Sequence, residues 1–147
     1  MTGVQTCALP ILKKARPDLV FGADLIAGFP TESEEAFENS LRLVDECGLS
    51  FLHVFPYSPR IGTPAAKMPQ VKSDQIKSRA KRLREKGDEA LSKHLKNLVG
   101  TTQDVLVERG GLARTKCFTP VHVGDRFEAG MFATVTIAAH DGKRLLI

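Results

Sequence analysis

Two short strings in this chain combine residue types that can hold a ligand: Gly28 to Glu32, GFPTE, and Pro56 to Arg60, PYSPR. A glycine lets a backbone approach a bound group closely, and the first turn of a helix following GFPTE leaves unpaired N–H groups that favour an anion. Turn punctuation accounts for Gly28 and Pro30 equally well, and Tyr57 or Arg60 could simply pack or be solvated. Metal chemistry has less support. Cys7, Cys47 and Cys117 are odd in number and lie 40 and 70 residues apart, a spacing that fits neither a disulfide framework nor a zinc or iron–sulfur ligand set. Reduced thiols of a cytoplasmic protein are the expectation. His53, His94, His122 and His140 also lack ligand spacing and are expected to be structural or at the surface.

The 147 residues, 42% hydrophobic, suffice for one modest core or two small ones, and two small units are expected. No apolar run approaches the roughly 18 to 20 residues of a membrane span, because Lys13, Lys14 and Arg16 follow the N-terminal one. The net charge of +4 is unevenly placed: residues 1–70 carry six Lys/Arg against eight Asp/Glu, residues 71–98 nine against four, and residues 99–147 six against five. A basic middle segment suggests a polyanion along one side, although a solvated helix face explains the same charges.

The elements that must position these residues are legible as patterns. Residues 1–12, MTGVQTCALPIL, lack the features of a secretory signal. Val4 to Ile11 resembles a translated sequencing adapter, and the segment is set aside as a foreign or disordered N-terminus. Leu19 to Ala27 is too continuously apolar for a strand with one wet face and suits a buried parallel sheet. Thr31 and Glu34 form a T-x-x-E capping box. Phe37, Leu41 and Val44 then make a helical apolar stripe, which Gly48 ends in the left-handed position. Phe51 to Phe55 is a second strand, so residues 13–70 contain a right-handed βαβ unit. Two strands cannot close a barrel, and partner strands are expected upstream. Pro56 to Pro69 is an extended loop. Val71 to Leu98 is a long basic helix with Ile76, Ala80, Leu83, Leu91, Leu95 and Leu98 on its apolar stripe. Residues 99–147 read as five short strands, TQDVLVE, LARTKCF, TPVHV, MFATVTIAA and RLLI, of a small antiparallel barrel.

Residues 23–69, with GFPTE followed by FPYSPRIGTPAA, closely resemble the late barrel strands of the radical S-adenosylmethionine methylthiotransferases. The strings FGADLIAGFPTE and CGLSFLHVFPYSPR are most similar to the branch acting on threonylcarbamoyladenosine beside the tRNA anticodon. Residues 99–147 resemble the TRAM domain that ends these enzymes, with Ala113 and Cys117 as departures in the Leu112 to Phe118 turn. The fold class implied is α/β plus all-β: an incomplete TIM-like radical S-adenosylmethionine barrel (13–70), a linking basic helix (71–98) and a five-stranded antiparallel TRAM barrel (99–147).

The resemblance implies a parent enzyme that uses S-adenosylmethionine and two 4Fe–4S clusters to add a methylthio group to an anticodon-loop adenine. The family's Cys-x-x-x-Cys-x-x-Cys triad is absent here, so no catalytic, metal-binding or cluster-binding residue is assigned to this chain, which is expected to be inactive without the missing N-terminal part. Asp24, Gly28 and Glu32 are implied to border the S-adenosylmethionine pocket, and Tyr57, Ser58 and Arg60 to face the barrel mouth. Small barrels bind RNA through cations that neutralise phosphates and rings that stack on bases, and for tRNA the candidates are Arg109, Arg114, Lys116, Phe118, Lys143 and Arg144. Two alternatives stay open: a stand-alone RNA-binding module without catalysis, and a methylthiotransferase acting on another tRNA adenosine or on a ribosomal protein.

Overall fold

The computed structural model describes residues 3–147, apart from the side chains of residues 3–7 and 10. The chain divides into two compact units, one comprising residues 21–90 with the N-terminal stretch up to Ala15, the other residues 16–20 and 91–147. The segment set aside above is helical from Gly3 onward, in α1 (Gly3–Ala15).

The first unit is a two-stranded parallel sheet, β1 (Phe21–Ala27) beside β2 (Leu49–Pro56), joined through α2 (Glu34–Glu46) and flanked by the first part of α3 (Ser73–Leu98). One face of β1, formed by Phe21, Ala23, Leu25 and Ala27, packs with Phe37 and Val44 of α2 and Ala80 and Leu83 of α3. The other face carries Asp24 and Ile26 opposite His53 and Phe55 of β2, all exposed. Of the apolar stripe read from the sequence, Phe37 and Val44 are buried at 0% and 1% exposure, while Leu41 packs at the edge.

The start of α2 corrects the capping expectation. Thr31 has φ 68, which excludes the extended geometry of an N-cap. Ser33 takes that place instead, its hydroxyl accepting from the Ala36 N–H at 3.0 Å. Glu34 is thereby released from the box and pairs with Arg79 and Arg82 of α3. The C-terminal expectation holds: Gly48, with φ 61, follows the Cys47 cap.

Gly28 shows what its missing side chain is for. With φ 77, a β-carbon there would lie 2.6 Å from Ile76 Cγ1 and 3.1 Å from the Ile76 Cα. The close approach expected for a ligand is made by helix α3.

The second unit is a six-stranded sheet in the order β6–β3–β4–β5–β8–β7, built from β3 (Thr102–Val107), β4 (Leu112–Thr115), β5 (Pro120–His122), β6 (Phe132–Thr136), β7 (Ala139–His140) and β8 (Leu145–Leu146). Two corrections follow. The single strand expected over MFATVTIAA is divided, because the ladder partner changes at Ile137 and Ala138: Ile137 bonds the backbone of Gly100 and Thr101, whereas the Ala138 N–H donates to Leu146. The sheet is mixed rather than antiparallel, since β5 and β8 pair in parallel. The two outermost strands, β6 and β7, are separated by only these two residues, so the sheet curls on itself. Val105, Val107, Val121, Ile137 and Leu145 fill its interior with Leu95 from the last turns of α3.

Gly28→Ala is expected to destabilise the full chain by clearly more than Gly48→Ala. Nothing lies within 4 Å of a β-carbon at Gly48, so that change costs only the left-handed strain of about 1–2 kcal/mol, whereas Gly28→Ala adds a collision with helix backbone. Urea unfolding of both variants measures the difference; equal midpoints would contradict the packing role of Gly28.

Candidate functional site

In the first unit the residues predicted to border a ligand surround one buried guanidinium. Arg79 is 6% exposed. Its Nη1 donates to the Glu32 carboxylate and to the Glu32 backbone carbonyl, both at 2.8 Å, and its Nη2 donates to Glu34 at 3.0 Å. The Glu32 carboxylate also accepts the Gly28 N–H at 2.9 Å, closing the GFPTE loop from within. Glu32, 11% exposed at its side chain, is thus occupied in holding its own loop.

The second loop is fastened to the first by the Tyr57 N–H, which donates to the Ala27 carbonyl at 2.9 Å. The Tyr57 ring meets Phe29 edge-on, centroids 5.4 Å apart, and its hydroxyl is buried with no partner among the described residues. Ser58 and Arg60 are exposed, and the Arg60 carbonyl accepts from the Thr63 backbone and hydroxyl in a turn. Asp24 lies apart from the loops' interior network, on the open sheet face beside His53. Asp24, Ser58 and Arg60 are therefore displayed, while Gly28 and Glu32 are built into the frame.

Half of the basic residues of α3, Arg79, Lys81, Arg82 and Lys86, pair with acids of the first unit. Arg82 pairs with Glu34 and Glu38, Lys86 with Asp45 at 2.6 Å and Lys81 with Glu85 at 3.7 Å. Hydrogen bonds from Arg82 and then Arg79 hold the Glu34 carboxyl below its ordinary range. The Arg79 and Arg82 guanidiniums also lie 5.5 and 4.7 Å from the Phe37 ring centroid. Lys77, Lys93 and Lys96 are exposed with no ion pair among the described residues.

In the second unit three of the six RNA-binding candidates are ion-paired. Arg114 meets Glu108 at 3.2 Å and donates to the Phe118 carbonyl, Lys116 meets Asp104 at 2.8 Å, and Arg144 meets Asp141 at 3.0 Å. Lys116 and then the Thr134 hydroxyl lower the Asp104 carboxyl. Arg109 and Lys143 are exposed, with no ion pair among the described residues. Phe118, at φ 61, is 75% exposed rather than core. His94 reaches Thr119 at 2.9 Å, and the Cys117 thiol donates to the Asp18 carbonyl at 3.2 Å.

Sequence reasoning missed Phe132, 78% exposed, and Leu106, 40% exposed, which are cross-strand partners. The available signal was phase: Phe132 alternates in step with Thr134 and Thr136, Leu106 with Thr102 and Asp104, so both belong to the wet face.

Among the described residues no group of three or more His, Cys, Asp or Glu side chains is placed to hold a metal ion. Cys47 and Cys117 are free thiols, and the side chain of Cys7 lies outside the described residues. No helix among those residues is long and apolar enough to cross a membrane.

Two outcomes test this geometry. Arg79→Ala leaves the Glu32 carboxylate buried without its partner and is expected to cost roughly 3–5 kcal/mol; Glu32→Ala added to it costs less than the sum of the single changes, and additivity in urea unfolding would argue against the pair. Backbone N–H groups of Lys143 and Arg144 lower the Asp141 carboxyl to about 2. A carboxyl with a depressed folded-state value stabilises above its unfolded value and loses that contribution as pH falls through the folded one. Asp141→Ala is therefore less stable than the parent chain at pH 6, and the difference shrinks as pH is lowered toward 2. A gap independent of pH would rule out the charge as its source.

No family model matches the chain. It is 44% identical over 132 residues, 89% of this chain, to a threonylcarbamoyladenosine tRNA methylthiotransferase of Rickettsia prowazekii, of which it covers 31%. It is 45% identical over 96 residues, 65% of this chain, to a tRNA-2-methylthio-N(6)-dimethylallyladenosine synthase of Ehrlichia chaffeensis, covering 22% of that protein. A synthase of the same description from Bifidobacterium adolescentis is 36% identical over a gapped alignment of 157 positions that covers 95% of this chain and 32% of the relative. The chain thus spans about a third or less of the curated relatives it matches, and with identity of this level across nearly all of its own length it belongs to the tRNA methylthiotransferase family.

Proposed function

We propose that this chain is the C-terminal part of a radical S-adenosylmethionine methylthiotransferase that modifies threonylcarbamoyladenosine next to the tRNA anticodon. In this reading the first unit supplies late strands of a βα barrel and the second is a TRAM domain that grips tRNA. The observation that carries it is the 44% identity, over 89% of the chain, to a relative described as acting on that nucleoside. The one-sided sheet supports it: helices cover one face of β1 and β2, and in a βα barrel the face opposite the helices is the interior, with ligands at the strands' C-terminal ends. Both loops, GFPTE and PYSPR, follow those ends.

Among the described residues no side chains form a cluster site, and no step through iron–sulfur chemistry is assigned to them. S-adenosylmethionine and the two 4Fe–4S clusters would be held chiefly by the upstream part of the enzyme. Within this chain Asp24 would face the barrel interior, Gly28 and Glu32 would set the shape of the pocket border, and Tyr57, Ser58 and Arg60 would line the mouth. The Tyr57 hydroxyl, without a partner among the described residues, is a donor available to a neighbouring strand or a ligand. A reading as a stand-alone RNA-binding module draws on the second unit having its own core around Val105, Val121 and Leu145.

The full chain is expected to bind tRNA with an affinity that falls as salt rises. Because Arg109 and Lys143 have no ion pair among the described residues, replacing both with Ala is expected to lower the slope of log affinity against log salt by about 1.4–1.8, two phosphate contacts' worth. Replacing the acid-paired Lys116 lowers it less. Filter binding across a salt series measures both; absence of tRNA binding at low salt would remove the gripping role.

A further inference from the structure

The outer face of the second unit's sheet carries a row that crosses four strands: Phe132 on β6, Leu106 on β3, Arg114 on β4 and Pro120 on β5, each opposite the next in the ladder. Phe132 is the most exposed ring of the row at 78%, and Leu106 beside it is 40% exposed. Arg114 is fixed at its far side, its guanidinium held by Glu108 and the Phe118 carbonyl. Next to this row lies a polar one in which Asp104 joins Lys116 and Thr134. The unit's charge is positive, with eight Lys/Arg against five Asp/Glu over residues 91–147. Three of those acids are already paired with Lys116, Arg114 and Arg144.

An exposed ring, an aliphatic side chain and a planar cation in register offer flat surface, not free charge. A duplex, whose bases are stacked on each other, cannot use such a surface, whereas an unpaired base stacks on rings and on guanidinium planes. The unit's excess of cations over acids across residues 91–147 favours a nucleic acid over an apolar protein partner. We infer that the Phe132–Leu106–Arg114 row is a stacking platform for unpaired bases of an RNA loop, separate in its energetics from the phosphate contacts of Arg109 and Lys143. The inference rests on the RNA-binding reading of this unit.

The test uses the full chain with two probes, a hairpin RNA with an unpaired loop and a blunt duplex of the same composition. Phe132→Ala is expected to weaken hairpin binding roughly 5- to 100-fold, as loss of one stacked base would, to leave the salt slope unchanged, and to spare duplex binding. Phe132→Trp restores hairpin affinity. Arg114→Lys, which keeps the charge and loses the plane, weakens it with the slope again unchanged. Since Phe132 is exposed, the thermal melts of parent and variant should coincide. Salt-sensitive hairpin binding that is indifferent to Phe132→Ala overturns the platform and leaves the RNA reading standing, as does an equal loss on the duplex. Self-association abolished by Phe132→Ala with RNA binding intact overturns it in favour of a protein interface. No hairpin binding by the parent chain at low salt overturns both.

Discussion

The first unit depends on the burial of one guanidinium. Arg79, on α3, reaches the carboxylate and carbonyl of Glu32 and the carboxylate of Glu34, so a single side chain fixes the loop after β1, the first turn of α2 and the register of α3 against both. Desolvating a charge is tolerable only where its donors are satisfied, and here Glu32 in turn accepts the Gly28 N–H. Gly28 must then lie against Ile76. The ion pair and the glycine are one arrangement, and the loop proposed to border a ligand is shaped by it rather than by contact with solvent.

The same constraint decides what the charges do. Acids on α2 meet Arg79, Arg82 and Lys86 on α3, which turns part of the basic segment into a neutralised seam. In the second unit Asp104, Glu108 and Asp141 similarly engage Lys116, Arg114 and Arg144. What remains, among the described residues, is a smaller set of cations without an ion pair, Arg109 and Lys143 in it, and an exposed row of Phe132 and Leu106. In the proposed reading, phosphate contacts and base stacking would fall on different side chains and respond differently to salt.

Much of this was legible in the sequence where local pattern and tertiary structure agree. The Phe37, Leu41 and Val44 stripe, the Gly48 terminus and the parallel β1–β2 pair follow from periodicity and turn chemistry, and the GFPTE and FPYSPR strings pointed to the family that the relatives confirm. What escaped depended on distant partners. Thr31 looks like a cap until its left-handed backbone passes that role to Ser33. The strand at residues 131–139 alternates without interruption, and only the change of partner from β3 to β8 divides it. The buried role of Arg79 cannot be told from that of its exposed neighbours on a helix where every basic residue looks alike. Phe132 was readable in principle from its phase with Thr134 and Thr136, but a ring beside a strand start suggests core until its partner Leu106 is seen to face the same way.

Chemical footprinting of the 2′-hydroxyls of a tRNA bearing threonylcarbamoyladenosine, with and without the full chain, tests the central claim most directly. The account requires protection concentrated in the anticodon loop, next to the nucleoside that the family relative is described as modifying. Protection confined to the helical stems, or no protection at concentrations where the chain remains folded, would contradict it.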